Sequence, residues 1–274
     1  MIRFIFFYLS IFISINGSAS DLTINGKLEQ GGLAYGWVSK DTKLRLGGIK
    51  INISPDGFFI FGISRNSPSN LDLEIITNKK ISKRNINIKK RNWIIERIDG
   101  LPRNTVSPDK KTLNRIRNEG ALISQRRKVS KDSILFESGF ILPAEGRVSG
   151  VFGSQRVLNG KPRSPHSGLD LAAPIGTNVV ATANGIVSLV HDDMILTGKT
   201  LMIDHGFGLH SIYIHLNDIF INEGDSVTQG QVIAEIGVTG RTSGPHLHFG
   251  ITWYGVKLDP QSVLEVLPNR NLVN

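Results

Sequence analysis

The sequence predicts a mainly β protein: a small N-terminal β-sandwich, a linker helix, and a C-terminal domain built on an antiparallel β-sheet. Three observations predict it. Short Ile- and Phe-rich stretches separated by turn residues fill residues 21–100. A single helical pattern with a start signal follows at Ser107-Pro108. From Phe140 onward, strand-length apolar runs alternate with glycine turns. The expected organisation is a signal peptide at 1–20, an N-terminal β-domain at 21–100 and a basic linker with a helix at 101–139. A C-terminal domain at 140–264 and a tail at 265–274 complete it.

At the N-terminus, Arg3 precedes an apolar run from Phe4 to Ile15, and Ser18-Ala19-Ser20 offers small residues before Asp21. That order reads as a secretory signal, because the run is too short to span a bilayer. Strands are then expected at Lys43-Leu-Arg-Leu, Ile49-Lys-Ile-Asn-Ile, Phe58 to Ile63 and Leu71 to Ile76. Pro55-Asp56-Gly57 and Asn66 to Asn70 punctuate them. Spacing of this kind suggests a sandwich, whose function is not legible. In the linker, Ser107 is the expected N-cap, and Leu113, Ile116 and Ile123 share a helix face. A disordered basic linker is the alternative. The C-terminal strands are expected at Ile186–Val190, Leu201–Ile203, Ile212–Ile214, Val232–Ile236 and Leu247–Thr252.

Composition narrows the function classes. There is no run of eighteen apolar residues, so no transmembrane span is expected after signal cleavage. The absence of cysteine excludes a cysteine nucleophile, thiolate metal ligands and a lipidated N-terminal cysteine. The net charge of +9 is unevenly placed. Lys79 to Lys131 holds 17 Lys/Arg against 4 Asp/Glu, whereas Asp132 to Asn274 holds 8 against 13. The basic belt suits an anionic surface, either cell-wall polymer or membrane, or else is a solvated face. Nucleic acid is not an expected partner, since no nucleic-acid motif is present.

All seven histidines lie between His166 and His248. His166 and Asp170 form H-x-x-x-D, and His246 and His248 form H-x-H. Imidazole and carboxylate are common zinc ligands, and three of them with an open fourth position is the catalytic arrangement. In a strand, His246 and His248 share a face, and so do Tyr213 and His215. His166 and Asp170 are expected on a loop turning at Gly168. His191, His205 and His210 are expected to be structural or surface residues, His210 because five residues put it on the opposite face from His215.

From Gly146 to Pro260 the chain resembles the LytM/lysostaphin-type zinc peptidases, which cleave peptide bonds in bacterial peptidoglycan. The likeness is carried by GRVSGVFGSQ, PHSGLDLAAPIGTNVVATANGIV, LMIDHGFGLHSIYIHL, GDSVTQGQVIAEIGVTGRTSGPHLHFG and the closing LDP. It implies that residues 140–264 form a peptidase domain of lysostaphin type. It further implies one zinc ion per chain, held by His166, Asp170 and His248, and two catalytic histidines, His215 and His246. No H-E-x-x-H occurs, so the glutamate base of the thermolysin-like plan is absent. Asn178 departs from the proline common in the family at that turn. The resemblance implies a secreted or periplasmic zinc endopeptidase with peptidoglycan as substrate and an adaptor protein as a further partner. The alternative is a weakly active regulator that binds and activates other wall hydrolases.

Overall fold

The computed structural model describes residues 22–78, 80–98 and 109–267. The expected signal segment at 1–20, the helix start at Ser107-Pro108 and residues 268–274 of the expected tail lie outside them.

The N-terminal strands are β1 (Thr23–Gly26), β2 (Leu33–Trp37), β3 (Lys43–Leu46), β4 (Ile49–Ile51), β5 (Phe58–Gly62), β6 (Asn70–Thr77), β7 (Lys80–Asn87) and β8 (Ile95–Ile98). They make two antiparallel sheets, β1-β2-β5 and β4-β3-β6-β7, as expected for a small sandwich. In β3, buried Leu44 and Leu46 alternate with exposed Lys43 and Arg45, which is the pattern of a sheet wet on one side. Gly47 and Gly48 close the β3–β4 hairpin at φ +55° and +82°, the left-handed pair a two-residue turn demands. β5 differs, since all five of its residues are buried. A methyl on Gly62 would lie 2.8 Å from Leu258 and 2.9 Å from Trp253, so this strand meets C-terminal residues directly. The apolar core is accordingly continuous from Leu33, Phe59 and Leu73 to Leu171, Phe249 and Trp253. Strand β8 leaves its neighbours altogether and pairs in parallel with a strand at Gln155–Leu158.

Helix α1 (Lys110–Arg126) is present. Its N-cap is Asp109, whose carboxylate accepts from Thr112 N at 2.9 Å. Ile123 packs on Leu189, Met194, Met202, Ile212 and Ile214, so the helix lies on one face of the C-terminal sheet. The segment after it is tied down. Ser130 Oγ and Lys131 N donate to the Asp204 carboxylate at 2.6 and 2.8 Å, and His210 Nε2 donates to Val129 O at 3.0 Å.

Next come β9 (Arg147–Gly150), β10 (Gln155–Leu158), β11 (Lys161–Pro162), β12 (Leu169–Ala172), β13 (Asn178–Val180), β14 (Gly185–Met194), β15 (Gly198–Gly206) and β16 (Leu209–Ile219). β17 (Ser226–Val227), β18 (Val232–Ile236), β19 (Leu247–Trp253), β20 (Val256–Leu258) and helix α2 (Pro260–Val266) complete the elements of the described residues. The main sheet has ten strands and runs β17-β14-β15-β16-β19-β12-β9, with β13, β18 and β20 attached to it. All of its pairings are antiparallel. α2 crosses the expected boundary between 264 and 265, capped by Asp259, whose carboxylate accepts from Gln261 N. Within the sheet, Tyr213 pairs with Phe249 over the main core, while Ile214 pairs with His248 on the face that α1 approaches.

Candidate functional site

Three strands bring the site together. On β12, Asp170 lies directly opposite His248 of β19, and paired residues project to the same face. His166 precedes β12 and reaches back to them. Its Nε2 lies 3.0 Å from Asp170 Oδ1 and 3.0 Å from His248 Nδ1, and His248 Nδ1 lies 2.8 Å from Asp170 Oδ1. Asp170 was expected on the same loop as His166, yet it belongs to a strand. The reason is Gly168: a side chain there would meet Phe249 O at 2.2 Å, so glycine lets β12 close on β19 immediately after His166.

His166 Nδ1 lies 3.0 Å from Val151 O, a carbonyl that can only accept, so this nitrogen carries a proton and Nε2 is the one turned toward Asp170 and His248. Burial pushes the Asp170 carboxyl up, but the adjoining His166 and His248 imidazoles outweigh that and hold it well below the usual carboxylate range. Burial lowers the pKa of His248. An ionised carboxylate and two imidazole nitrogens thus converge on one point, which suits a divalent cation of borderline softness such as zinc.

His215 and His246 stand beside this cluster, their ring centroids 4.9 Å apart and His215 6.5 Å from His248. His246 Nδ1 faces Gly244 O at 2.9 Å and Thr242 Oγ1 at 3.0 Å, while its Nε2 lies 3.8 Å from Asp170 Oδ1. His215 Nδ1 donates to Thr239 O at 2.8 Å, so in the neutral ring Nε2 carries the lone pair. Burial pulls the His215 pKa down to about 4, so its ring is neutral near pH 7. The expectation that Tyr213 and His215 share a face does not hold. Tyr213 lies in the main core with its hydroxyl accepting from Thr182 N, whereas His215 meets His246 and His248 on the opposite face. His215 sits at φ +64°, beside register shifts in β16, and this breaks the two-residue alternation. A left-handed φ on a non-glycine residue costs free energy and is typical of functional sites.

The remaining histidines are structural. His205 is fully buried, with Nδ1 donating to Asn184 O at 2.7 Å and Nε2 2.8 Å from Ser211 Oγ. His210 anchors the segment after α1, and His191 Nδ1 accepts from Asp193 N at 3.1 Å. His210 lies with Ile212 and Ile214 toward α1, so its role is structural but not for the reason of opposite faces. Thr239, Thr242 and the Val151 carbonyl, which orient the site histidines, carry no sequence signal beyond proximity: Thr242 stands four residues before His246.

The basic belt is not one free face. Arg91 pairs with Asp259 at 2.7 Å, Arg126 with Glu223 at 2.6 Å, and Arg115 with Glu119 and Asp193. Desolvation of the half-buried Arg127 guanidinium lowers its pKa to about 10.

Residues 164–260 match the profile of Peptidase family M23, so a domain of that family lies within the chain. It is similar to the peptidoglycan DD-endopeptidase ShyB of Vibrio cholerae, 42% identical over 32% of this chain and 20% of that protein. It is also similar to ShyA of the same organism, 38% identical over 38% of this chain and 24% of that protein. The DD-carboxypeptidase/endopeptidase Mpg of Neisseria meningitidis is 40% identical over 36% of this chain and 22% of its own length. The matches thus span about a quarter or less of these three curated relatives. A crystal structure from Pseudomonas aeruginosa, described as a peptidase M23, superimposes with a TM-score of 0.69 at 25% identity, covering 88% of this chain and 96% of that one.

Proposed function

We propose that this protein is a secreted or periplasmic zinc metalloendopeptidase that hydrolyses the peptide cross-links of bacterial peptidoglycan. The observation that carries the reading is the convergence of His166, Asp170 and His248 beside two further histidines whose proton-bearing nitrogens point away. The first three would hold the zinc, which when bound lowers the pKa of a water and polarises the scissile carbonyl. Every other step falls to the chain itself. Nε2 of His215 and of His246 each present a lone pair, because carbonyls of Thr239 and Gly244 occupy the Nδ1 protons. One ring takes a proton from the attacking water. The other, once protonated, stabilises the oxyanion or donates to the leaving amine.

The names of the curated relatives support peptidoglycan as the substrate. The division into an N-terminal β-domain (21–100), a linker (101–139) and a peptidase domain (140–264) belongs to the same reading. So does an anionic wall or membrane surface met through residues 79–131. Among the described residues, no helix is long and apolar enough to cross a membrane. The test is digestion of purified peptidoglycan. Fragments should appear, vanish with a chelator and return with zinc. A protein that binds peptidoglycan but releases nothing under any metal condition is instead the regulator of other wall hydrolases.

A further inference from the structure

Resting on the metal reading above, we infer that the N-terminal β-region completes the metal site: Arg65 and Trp93 are positioning residues for His166, acting through the turn at residues 151–154. His166 is bonded to this turn three times. Its ring Nδ1 donates to Val151 O at 3.0 Å, its backbone N donates to Ser154 O at 2.8 Å, and its carbonyl accepts from Gly153 N at 3.0 Å. The first of these sets the tautomer and ring direction, which is the task of a ligand's outer hydrogen bond. The turn therefore decides where Nε2 points.

The other side of the turn is gripped by residues from far earlier in the chain. Arg65 donates from Nε and Nη2 to the single carbonyl of Gly153, at 3.0 and 2.7 Å. The Trp93 ring lies against the α-carbon of Gly153, where a methyl would come within 2.1 Å of it. Gly153 has φ +81°, so neither the conformation nor the space admits another residue. Phe152 is buried, edge-on to Trp93 at 5.9 Å, and its ring fills the space a side chain at Gly31 would need. Trp93 is itself fixed. The guanidinium carbons of Arg65 and Arg91 lie 4.8 and 4.6 Å from its ring centroid, and Arg91 is tied to Asp259. Immediately beyond the turn, β10 pairs with β8, so the chain that follows the turn is also fixed to N-terminal residues.

A simple interface would stabilise the protein and leave the affinity of the folded site unchanged. A positioning role moves the affinity itself. The experiment is zinc affinity of the full chain, measured by competition with a chromophoric chelator well below the melting temperature, alongside circular dichroism and Tm. Arg65→Ala and Trp93→Ala should each weaken zinc binding about tenfold, the scale seen for outer-shell partners of metal ligands. Arg65→Lys, which keeps the charge and one donor, should fold and fall between Arg65→Ala and wild type. Arg126→Ala, which removes only the ion pair with Glu223, should bind zinc as wild type does. Wild-type affinity in folded Arg65→Ala and Arg65→Lys, whatever their Tm, overturns the inference. A wild-type chain that takes up no zinc overturns the metal reading itself, and that outcome is read before any variant.

Discussion

The substitution Gly168→Ala puts the geometry of the candidate site under direct load. Gly168 stands midway between His166 and Asp170, and its α-carbon faces β19. The added methyl would lie 2.2 Å from Phe249 O and 2.8 Å from His248 Nε2. Nonbonded carbon contacts are comfortable only from about 3.5 Å, so β12 and β19 must separate by roughly 1 Å. On an unhindered site, glycine to alanine would stabilise by about 0.4–1 kcal/mol through the unfolded chain. Here overpacking opposes that and costs about 1–3 kcal/mol, which at roughly 2–4 °C per kcal/mol lowers Tm by several degrees. The movement separates His248 from Asp170, so zinc affinity should fall by about 10–100-fold, as for loss of an outer-shell support. Chelator competition and thermal unfolding of the same preparation read both effects. A Gly168→Ala protein with unchanged Tm and unchanged zinc affinity would refute the close approach of these strands and the ligand convergence built on it.

Three further outcomes are expected. His166→Ala, Asp170→Ala and His248→Ala should each strip most zinc in elemental analysis, because a three-ligand site cannot lose one cheaply; full occupancy in all three would defeat the ligand assignment. His215→Ala and His246→Ala should keep zinc and lose on the order of a hundredfold or more in turnover; loss of metal from either would reverse the division between ligating and catalytic residues. Buried His205 has its pKa lowered to about 4 by burial, from an ordinary value near 6.5. Between those values the unfolded chain binds a proton that the folded chain does not, so stability falls as pH drops from 6.5 toward 4, by at most about 3 kcal/mol. Urea unfolding at pH 7 and 4.5 checks this, and the same acid loss in His205→Gln would show that another group is responsible.

The class of fold and the core of the site were legible in the chain because both are written locally. Alternation in Lys43-Leu-Arg-Leu marks a half-buried strand, and the all-apolar Phe58 to Ile63 marks one covered on both sides. H-x-H at the head of an apolar run places two rings together by period alone, and β19 begins there. What needed the tertiary structure lies where a local rule yields to long-range packing. His215 should face with Tyr213 by period, but a left-handed φ and neighbouring register shifts turn it to the other side, into the cluster. Asp170 reads as a loop residue until β19 is laid against it, because strand pairing depends on a partner 78 residues away. The helix cap is Asp109 rather than Ser107 by a contact within one turn, its carboxylate accepting from the Thr112 amide. Charge counted along 79–131 suggested one basic face, yet several of its arginines point into ion pairs with distant acids. Nothing in the order of residues links Arg65 and Trp93 to His166. Only folding brings a guanidinium to the carbonyl of Gly153, 88 positions along the chain, because sequence states which groups exist and packing decides which of them meet.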